Sequence, residues 1–147
     1  MSVGWTEVIV DLSFEQLDLL VVASRLVCPA TGLDGPGVVG VRDGLIEFVE
    51  MGDGGSEYQA ARETLEVEDG ILLPGLIDLH AHPAASGSKF GIDADRDLLP
   101  KGSTTVLSQG DAGARNVDQY ISETIAGSRT TVKLALNFCA EGESNPA

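Results

Sequence analysis

The sequence predicts an α/β protein in which a small β-rich part precedes βα units. Three observations predict this class. β-branched apolar runs separated by Asp-Gly turns fill residues 18–73, and strand-like runs alternate with helix-like runs from residue 74 onward. The composition, with 43% hydrophobic residues, 22% charged residues and 18 glycines, is typical of a globular chain. The length of 147 residues fits one ordinary domain or part of a larger one.

The β-rich part is predicted from its turn residues. The run "DLLVVASRLVCPATG" (18–32) ends at Pro29 and Gly32, and residues 37–55 form two strands that turn at Arg42-Asp43-Gly44. Residues 57–63 have a helix-compatible composition, and residues 64–75 give a further strand, an Asp-Gly turn and an apolar run. We therefore expect an N-terminal extension (1–17) and a small, mostly antiparallel β-rich domain (18–73), of the incomplete β-sandwich type.

The following part predicts βα units around a parallel sheet. Strands are expected at 76–82, 103–110 and 130–138, and helices at 94–102, which Pro100 ends or kinks, and at 114–128. The longer helix has a stripe at core-facing spacing. This stripe consists of Val117, Tyr120, Ile121, Thr124 and Ile125. Because the chain stops in a loop-like tail after the third strand, we expect the sheet of residues 74–147 to be truncated there.

Charge and cysteine content exclude several classes of function. Nine basic residues against 23 acidic ones give a net charge of −14, which repels nucleic acid and anionic membrane surfaces. Cys28 and Cys139 form no C-x-x-C pattern, so neither a disulfide framework nor a thiolate zinc site is indicated. The first residues have no basic start, and no apolar run approaches the ~20 residues of a membrane span. We expect a soluble, cytoplasmic protein without nucleic-acid or membrane partners.

Both histidines of the chain, His80 and His82, lie in the short stretch "LLPGLIDLHAHPA". In a strand, alternating residues share a face, so both imidazoles and Asp78 point to the same side. Two imidazoles about 7 Å apart along a strand can converge on one zinc ion. Pro83 ends the strand, which puts the pair at its carboxyl end, where parallel α/β folds place their sites. From these residues alone, a ligand pair and two hydrogen-bonded histidines both remain open.

The stretch "LPGLIDLHAHP" resembles the first-strand signature of the amidohydrolase superfamily, Pro-Gly-x-Ile-Asp-x-His-x-His. The upstream run from residue 18 resembles the small β-domain that precedes the barrel in dihydroorotases and hydantoinases. The downstream run 90–116, in which Gly102-Ser103-Thr104-Thr105 opens the second strand, is most similar to the branch of deacetylases and N-acyl-D-amino-acid deacylases. The resemblance runs from about residue 18 to the end and is strongest at residues 72–83.

This resemblance implies the start of an incomplete (β/α)8 TIM-type barrel that holds one or two divalent metal ions, most often zinc. His80 and His82 would be ligands of the more buried metal. Metal-activated hydroxide would then hydrolyse a non-peptide carbon–nitrogen bond, with an N-acyl or acetyl amide as the small-molecule substrate. The general base and the other ligands of such barrels come from later strands, so the 147 residues alone are not expected to be active.

Three further residues are candidates for the site. Asp78 shares the predicted ligand face and would orient an imidazole or be a third, weak ligand, with a buried hydrogen-bonded carboxylate as the alternative. Asp111 follows the second strand and would contact substrate or orient a ligand, with capping of the next helix as the alternative. Asn137 lies near the end of the third strand and would reach the mouth of the site, with strand-end hydrogen bonding as the alternative.

Two other functions remain open. One is cyclic-amide hydrolysis of the dihydroorotase or hydantoinase kind, since these enzymes share the same first-strand signature. The other is a non-catalytic remnant or interaction module that uses its open sheet edge to pair with another chain, so that a homo-oligomer forms.

Overall fold

A computed structural model describes residues 16–52, 61–84 and 87–143. The chain divides between Leu73 and Pro74 into two compact units. Within the described ranges, no helix is long and apolar enough to cross a membrane.

The first unit, up to Leu73, is a four-stranded mixed sheet. Its strands are β1 (Leu17–Cys28), β2 (Leu33–Arg42), β3 (Leu45–Met51) and β4 (Ala61–Val67). They are ordered β3-β2-β1-β4, with antiparallel pairing of β1 with β2 and of β2 with β3, and parallel pairing of β1 with β4. Leu17, Leu20 and Val38 form its buried core, against which Phe48 packs.

The predicted turn at Asp43-Gly44 is confirmed. Arg42 pairs with Leu45, and the two intervening residues have φ values of 51° and 74°. Two consecutive positive φ values define the type I′ turn, whose twist matches that of a β-hairpin. The Asp43 amide donates to the Asp18 carboxylate at 2.6 Å, which fastens the turn to β1.

The helix-compatible interpretation of residues 57–63 is wrong where the structure describes it. Residues 61–63 begin β4, while residues 57–60 lie outside the described ranges. Ala61 pairs with Leu17 and Glu63 with Leu19 in the parallel ladder. Tertiary pairing overrides the local preference, because β1 satisfies the backbone groups of this segment and Ala61 packs against the core.

The second unit, from Pro74, has the predicted alternation of strands and helices. Its three parallel strands, in the order β5-β6-β7, are β5 (Leu76–Ala81), β6 (Ser103–Gln109) and β7 (Thr131–Ala135). Between them lie α1 (Ala94–Asp97) with a 3₁₀ turn (Leu99–Lys101), and α2 (Val117–Tyr120), which continues into a π turn (Ile121–Ile125). The unit is thus a mixed α/β arrangement.

Both helices are shorter than predicted. The first ends at Asp97 and is followed by a 3₁₀ turn that contains Pro100, which has no amide hydrogen to donate. The second begins only at Val117, because the Gly113 amide donates to the Asn116 side chain in a preceding turn. The π turn shifts the predicted stripe, so that Tyr120 is buried while Ile121 is 46% exposed.

The core of the second unit lies between the sheet and its helices. Val106 of β6 and Val132 of β7 are buried against Ala94 of α1 and Tyr120 of α2. This packing fixes the positions of the loops that follow β5 and β6.

Candidate metal centre

The predicted histidine pair lies at the carboxyl end of β5. His80 is the penultimate residue of the strand, and His82 follows its last residue, Ala81. The neighbouring parallel strand β6 ends at Gln109, so Asp111 reaches the same edge of the sheet. The Gln109 side chain donates to the Leu79 carbonyl at 2.8 Å, where the regular pairing of β5 with β6 is interrupted.

The imidazole rings of His80 and His82 lie close together. Their centroids are 5.7 Å apart, and the ring planes meet at 66° in an edge-to-face arrangement. The His80 residue is exposed, whereas the His82 side chain retains 23% of its accessible surface. Both rings are therefore reachable from solvent, with His82 set deeper.

Asp111 is a buried carboxylate with three hydrogen-bond partners. Its side chain is fully inaccessible to solvent. Oδ1 is hydrogen-bonded to His82 Nδ1 at 2.9 Å and accepts from the Ser88 hydroxyl at 2.6 Å, while Oδ2 accepts from the Ser108 hydroxyl at 2.6 Å. The carboxylate therefore joins the loop after β5, strand β6 and the His82 ring.

Tyr120 of α2 lies beside this polar cluster. It is 7% exposed, and its hydroxyl donates to the Pro83 carbonyl at 3.4 Å. Burial raises the pKa of the Tyr120 hydroxyl to about 12; a hydrogen bond with Ser108 lowers it and the negative charge of Asp111 raises it further. Sequence periodicity identified Tyr120 only as a core residue, because helical spacing says nothing about its hydroxyl.

Asp78 and Asn137 contact backbone groups. The half-buried Asp78 carboxylate accepts from the backbone amide of His80 at 2.9 Å, so it holds the strand and not an imidazole. The Asn137 side chain donates to the Gly110 carbonyl and accepts from the Cys139 amide, which ties the loops after β6 and β7 together. Asp111 does not cap the next helix, since Asn116 occupies the N-cap position of α2.

Ser88 and Phe90 are residues of this edge that sequence reasoning missed. The Phe90 ring lies 5.5 Å from the His82 ring, centroid to centroid. Gly91 follows Phe90 and approaches the backbone of Ala84 so closely that a Cβ on Gly91 would overlap the Ala84 carbonyl. The backbone amide of Lys89, which lies between Ser88 and Phe90 in the sequence, donates to the Glu143 carbonyl at 2.9 Å. No sequence signal marks Ser88, six residues beyond His82, as a hydrogen-bond partner of Asp111.

The donor set fits half of a zinc site. Two imidazoles are the ligand type that zinc prefers, and a buried carboxylate beside Nδ1, as Asp111 is for His82, is typical of metal-binding histidines. Among the described residues, no group of three or more His, Cys, Asp or Glu side chains is arranged to hold a metal ion. The described residues therefore bring two imidazoles together, whereas catalytic zinc sites have three protein ligands.

Comparison with known proteins identifies relatives over part of the chain, although no family model matches it. The chain is 30% identical to the dihydroorotase of Chlorobaculum tepidum over 98 residues, which are 66% of this chain and 21% of that enzyme. It is 31% identical to the deacetylase Atu3266 of Agrobacterium fabrum over 90 residues, 60% of this chain and 22% of that protein. The probable allantoinase of Oryza sativa subsp. japonica is 41% identical over 51 residues, 35% of this chain and 10% of that protein.

Solved structures of a dihydroorotase and an adenine deaminase are also similar to this chain. The alignment with a crystal structure of a dihydroorotase has a TM-score of 0.70 and 26% sequence identity. It covers 86% of this chain and 32% of the dihydroorotase chain. A crystal structure of an adenine deaminase has a TM-score of 0.67 at 26% identity, with the same coverage. These sequence and structure matches, each over part of the chain, all indicate the amidohydrolase superfamily, which is the family that the LPGLIDLHAHP stretch resembles. The chain spans about a fifth of the length of the first two curated relatives.

Proposed function

We propose that this chain contributes the metal-binding first strand of an amidohydrolase that cleaves a non-peptide carbon–nitrogen bond. The observation that carries the proposal is the adjacent pair His80 and His82, with His82 Nδ1 bound to the buried Asp111. The family relationship supports hydrolysis of a small-molecule amide. The substrate class that we favour is an N-acyl or acetyl amide, in line with the similarity to deacetylase Atu3266.

In this proposal His80 and His82 hold one divalent cation, with zinc as the metal that best suits two imidazoles. Such a cation, when bound, acts as a Lewis acid that polarises an amide carbonyl and activates water. Asp111 keeps His82 in the orientation that presents Nε2. The remaining ligands and the acidic residue that moves the proton would come from further strands, beyond the three described here.

We also propose that β5, β6 and β7 are the first strands of a (β/α)8 barrel, and that residues 18–73 form a separate small β-domain. Three adjacent parallel strands with helical connections support a barrel start, as does the similarity to the dihydroorotase structure. Ile77 and Leu79 of the edge strand β5 are 64% and 67% exposed, which is the state expected of a barrel strand whose next layer is missing. Cytoplasmic location and homo-oligomer formation stay predictions.

A cyclic amide is the second candidate substrate, because two of the curated relatives are a dihydroorotase and a probable allantoinase. The two substrate classes can be separated with the protein purified from its natural source, after the mass of its polypeptide is measured against the 15.3 kDa of this chain. We expect a larger polypeptide that, loaded with zinc, hydrolyses N-acetylated amino acids faster than dihydroorotate or allantoin.

The opposite substrate preference would establish the cyclic-amide alternative. A natural polypeptide of 15.3 kDa that releases no product from either class would contradict the hydrolase proposal. His82→Ala in the natural polypeptide should abolish turnover, whereas Asp95→Asn, which changes a carboxylate bonded to Arg129 and Thr130, should leave it measurable.

A further inference from the structure

We propose that Lys89 and Phe90, in the loop after β5, form a subsite for a negatively charged group of the substrate, with Lys89 as the specificity-determining residue. The loop selects amides that carry a carboxylate. This inference rests on the proposed function, because it places the substrate at the edge of the sheet that carries His80 and His82. It favours N-acylated amino acids and dihydroorotate over allantoin, which has no carboxylate.

The first argument is the position of the Lys89 ammonium. Nζ lies 5.1 Å from the centroid of the Phe90 ring, and the centroid of the His82 ring lies 5.5 Å from the same point. The ammonium is therefore no further from the His82 ring than these two distances combined. A cation over an aromatic ring at such a distance is attracted to the ring face, so Phe90 holds the ammonium at the histidine edge. An N-acylated amino acid carries its carboxylate on the carbon next to the amide nitrogen, which suits a separation of this size.

The second argument is that the backbone around Lys89 is held on both sides. Before it, the Ser88 hydroxyl donates to the Asp111 carboxylate at 2.6 Å, and the amide of Lys89 itself donates to a carbonyl of the loop after β7. After it, the Ile92 amide donates to the His82 carbonyl at 2.9 Å. The exposed lysine side chain thus extends from a fixed point, so less conformational freedom is lost when it binds an anion.

The third argument is the distribution of charge. The chain has a net charge of −14, a field that repels an anionic substrate unless a local cation compensates for it. Among the described residues, Lys89 forms no ion pair, whereas Arg115, in the loop after β6, pairs with Glu141. Lys101 and Arg129 precede β6 and β7 and so lie at the amino ends of those strands. Lys89 is therefore the unpaired cation that the described loops at the carboxyl ends of the strands provide.

The kinetic test uses the natural polypeptide loaded with zinc, and compares an N-acetylated amino acid with the neutral carboxamide of the same compound. Lys89→Met should raise KM for the carboxylate roughly tenfold, an effect between that of an exposed ion pair and that of a hydrogen bond to a charged group. KM for the carboxamide should not change. Because a carboxylate remote from the reacting bond is bound equally in the ground state and the transition state, kcat should stay close to wild type. If the substrate is a cyclic amide, dihydroorotate and dihydrouracil, the same ring without the carboxylate, form the corresponding pair.

Two control variants separate the charge at this position from the charge of the whole chain. Lys89→Arg keeps a cation in the loop and should keep most of the preference for the carboxylate. Lys101→Met removes the same charge just before β6 and should leave both KM values unchanged. Equal rises in KM for the charged and the neutral substrate, or equal effects of Lys89→Met and Lys101→Met, would overturn the subsite and leave the hydrolase proposal intact.

Binding without turnover tests Lys89 independently of hydrolysis. The chain has three lysines, so carbon-13 NMR of their ε-methylene groups gives three signals, which Lys89→Met and Lys101→Met assign. We expect N-acetylglycine to shift the Lys89 signal, and the neutral N-acetylglycinamide to leave it in place. A Lys89 signal that moves no more than those of Lys101 and Lys133 would overturn the proposal. A selective shift of Lys89, together with a natural polypeptide that hydrolyses neither substrate class, would refute the hydrolase proposal and retain the anion subsite.

Discussion

Replacing Tyr120 with phenylalanine should make the chain less stable than wild type at about pH 8 and more stable above about pH 11. Burial raises the pKa of the Tyr120 hydroxyl to about 12 in the folded state, against about 10 in an unfolded chain. The folded state holds the proton of the Tyr120 hydroxyl more tightly than the unfolded chain does. The protonated hydroxyl therefore contributes its full stabilisation below pH ~10, and this contribution is lost as the pH rises toward ~12. Two pKa units correspond to a loss of roughly 3 kcal/mol in the free energy of unfolding.

The phenylalanine variant has no such titration. At about pH 8 it lacks the hydroxyl that contacts the Pro83 carbonyl and Ser108, which costs about 1 kcal/mol. The wild-type chain loses that advantage by about pH 11, so the two stability curves should cross near there. Urea denaturation followed by circular dichroism, across the range from about pH 8 to 11.5, measures both curves, and other alkaline titrations cancel in the difference.

An absorbance titration at alkaline pH checks the cause directly. The chain has two tyrosines, so Tyr58→Phe leaves Tyr120 as the sole phenol. Tyr120 should ionise near pH 12 or together with unfolding. Ionisation near pH 10 while the circular dichroism stays native, or stability curves that remain parallel, would refute the packing of Tyr120 of α2 against the sheet.

Three further predictions concern stability. Asp95→Asn should lower the free energy of unfolding at neutral pH, because hydrogen bonds from the Arg129 amide and Thr130 lower the pKa of the Asp95 carboxyl; the difference from wild type should shrink as the pH falls below ~4, and a pH-independent difference would contradict this. Gly91→Ala should destabilise by more than 1 kcal/mol on an order-of-magnitude basis, because its Cβ would overlap the Ala84 carbonyl, and an unchanged midpoint in urea would refute that close approach. Gly44→Val should cost on the order of 1 kcal/mol or more, because Gly44 has a φ of 74°; thermal denaturation that matches wild type would count against the type I′ turn.

The parts of the fold that depend on local sequence could be predicted. Asp43-Gly44 has the residue types that a type I′ turn requires, and the alternation of strands and helices after Pro74 is visible as a change of hydrophobic period. The strand at 61–63 could not be predicted, because it exists through pairing with β1 about 40 residues earlier. Local composition carries no information on such a partner.

The candidate site was predictable only in part, for the same reason. His80 and His82 are close in sequence, so strand geometry alone predicts adjacent rings. The contact of His82 with Asp111 joins residues 29 apart and depends on how far the loop after β6 reaches beside β5. Ser88 reaches Asp111 only through the path of its loop, which Gly91 allows by approaching Ala84. These contacts come from tertiary packing, which no periodicity reports.

Zinc binding to the chain is the most direct test of the central claim that His80 and His82 hold a metal together. Isothermal titration should detect one zinc ion per wild-type chain, bound more weakly than at sites with three protein ligands. Because a net charge of −14 attracts cations unspecifically, the double variant His80→Ala/His82→Ala, with the same acidic residues, is the required control. The account predicts that this double variant loses the stoichiometric site. Identical binding curves for the two proteins would contradict the account.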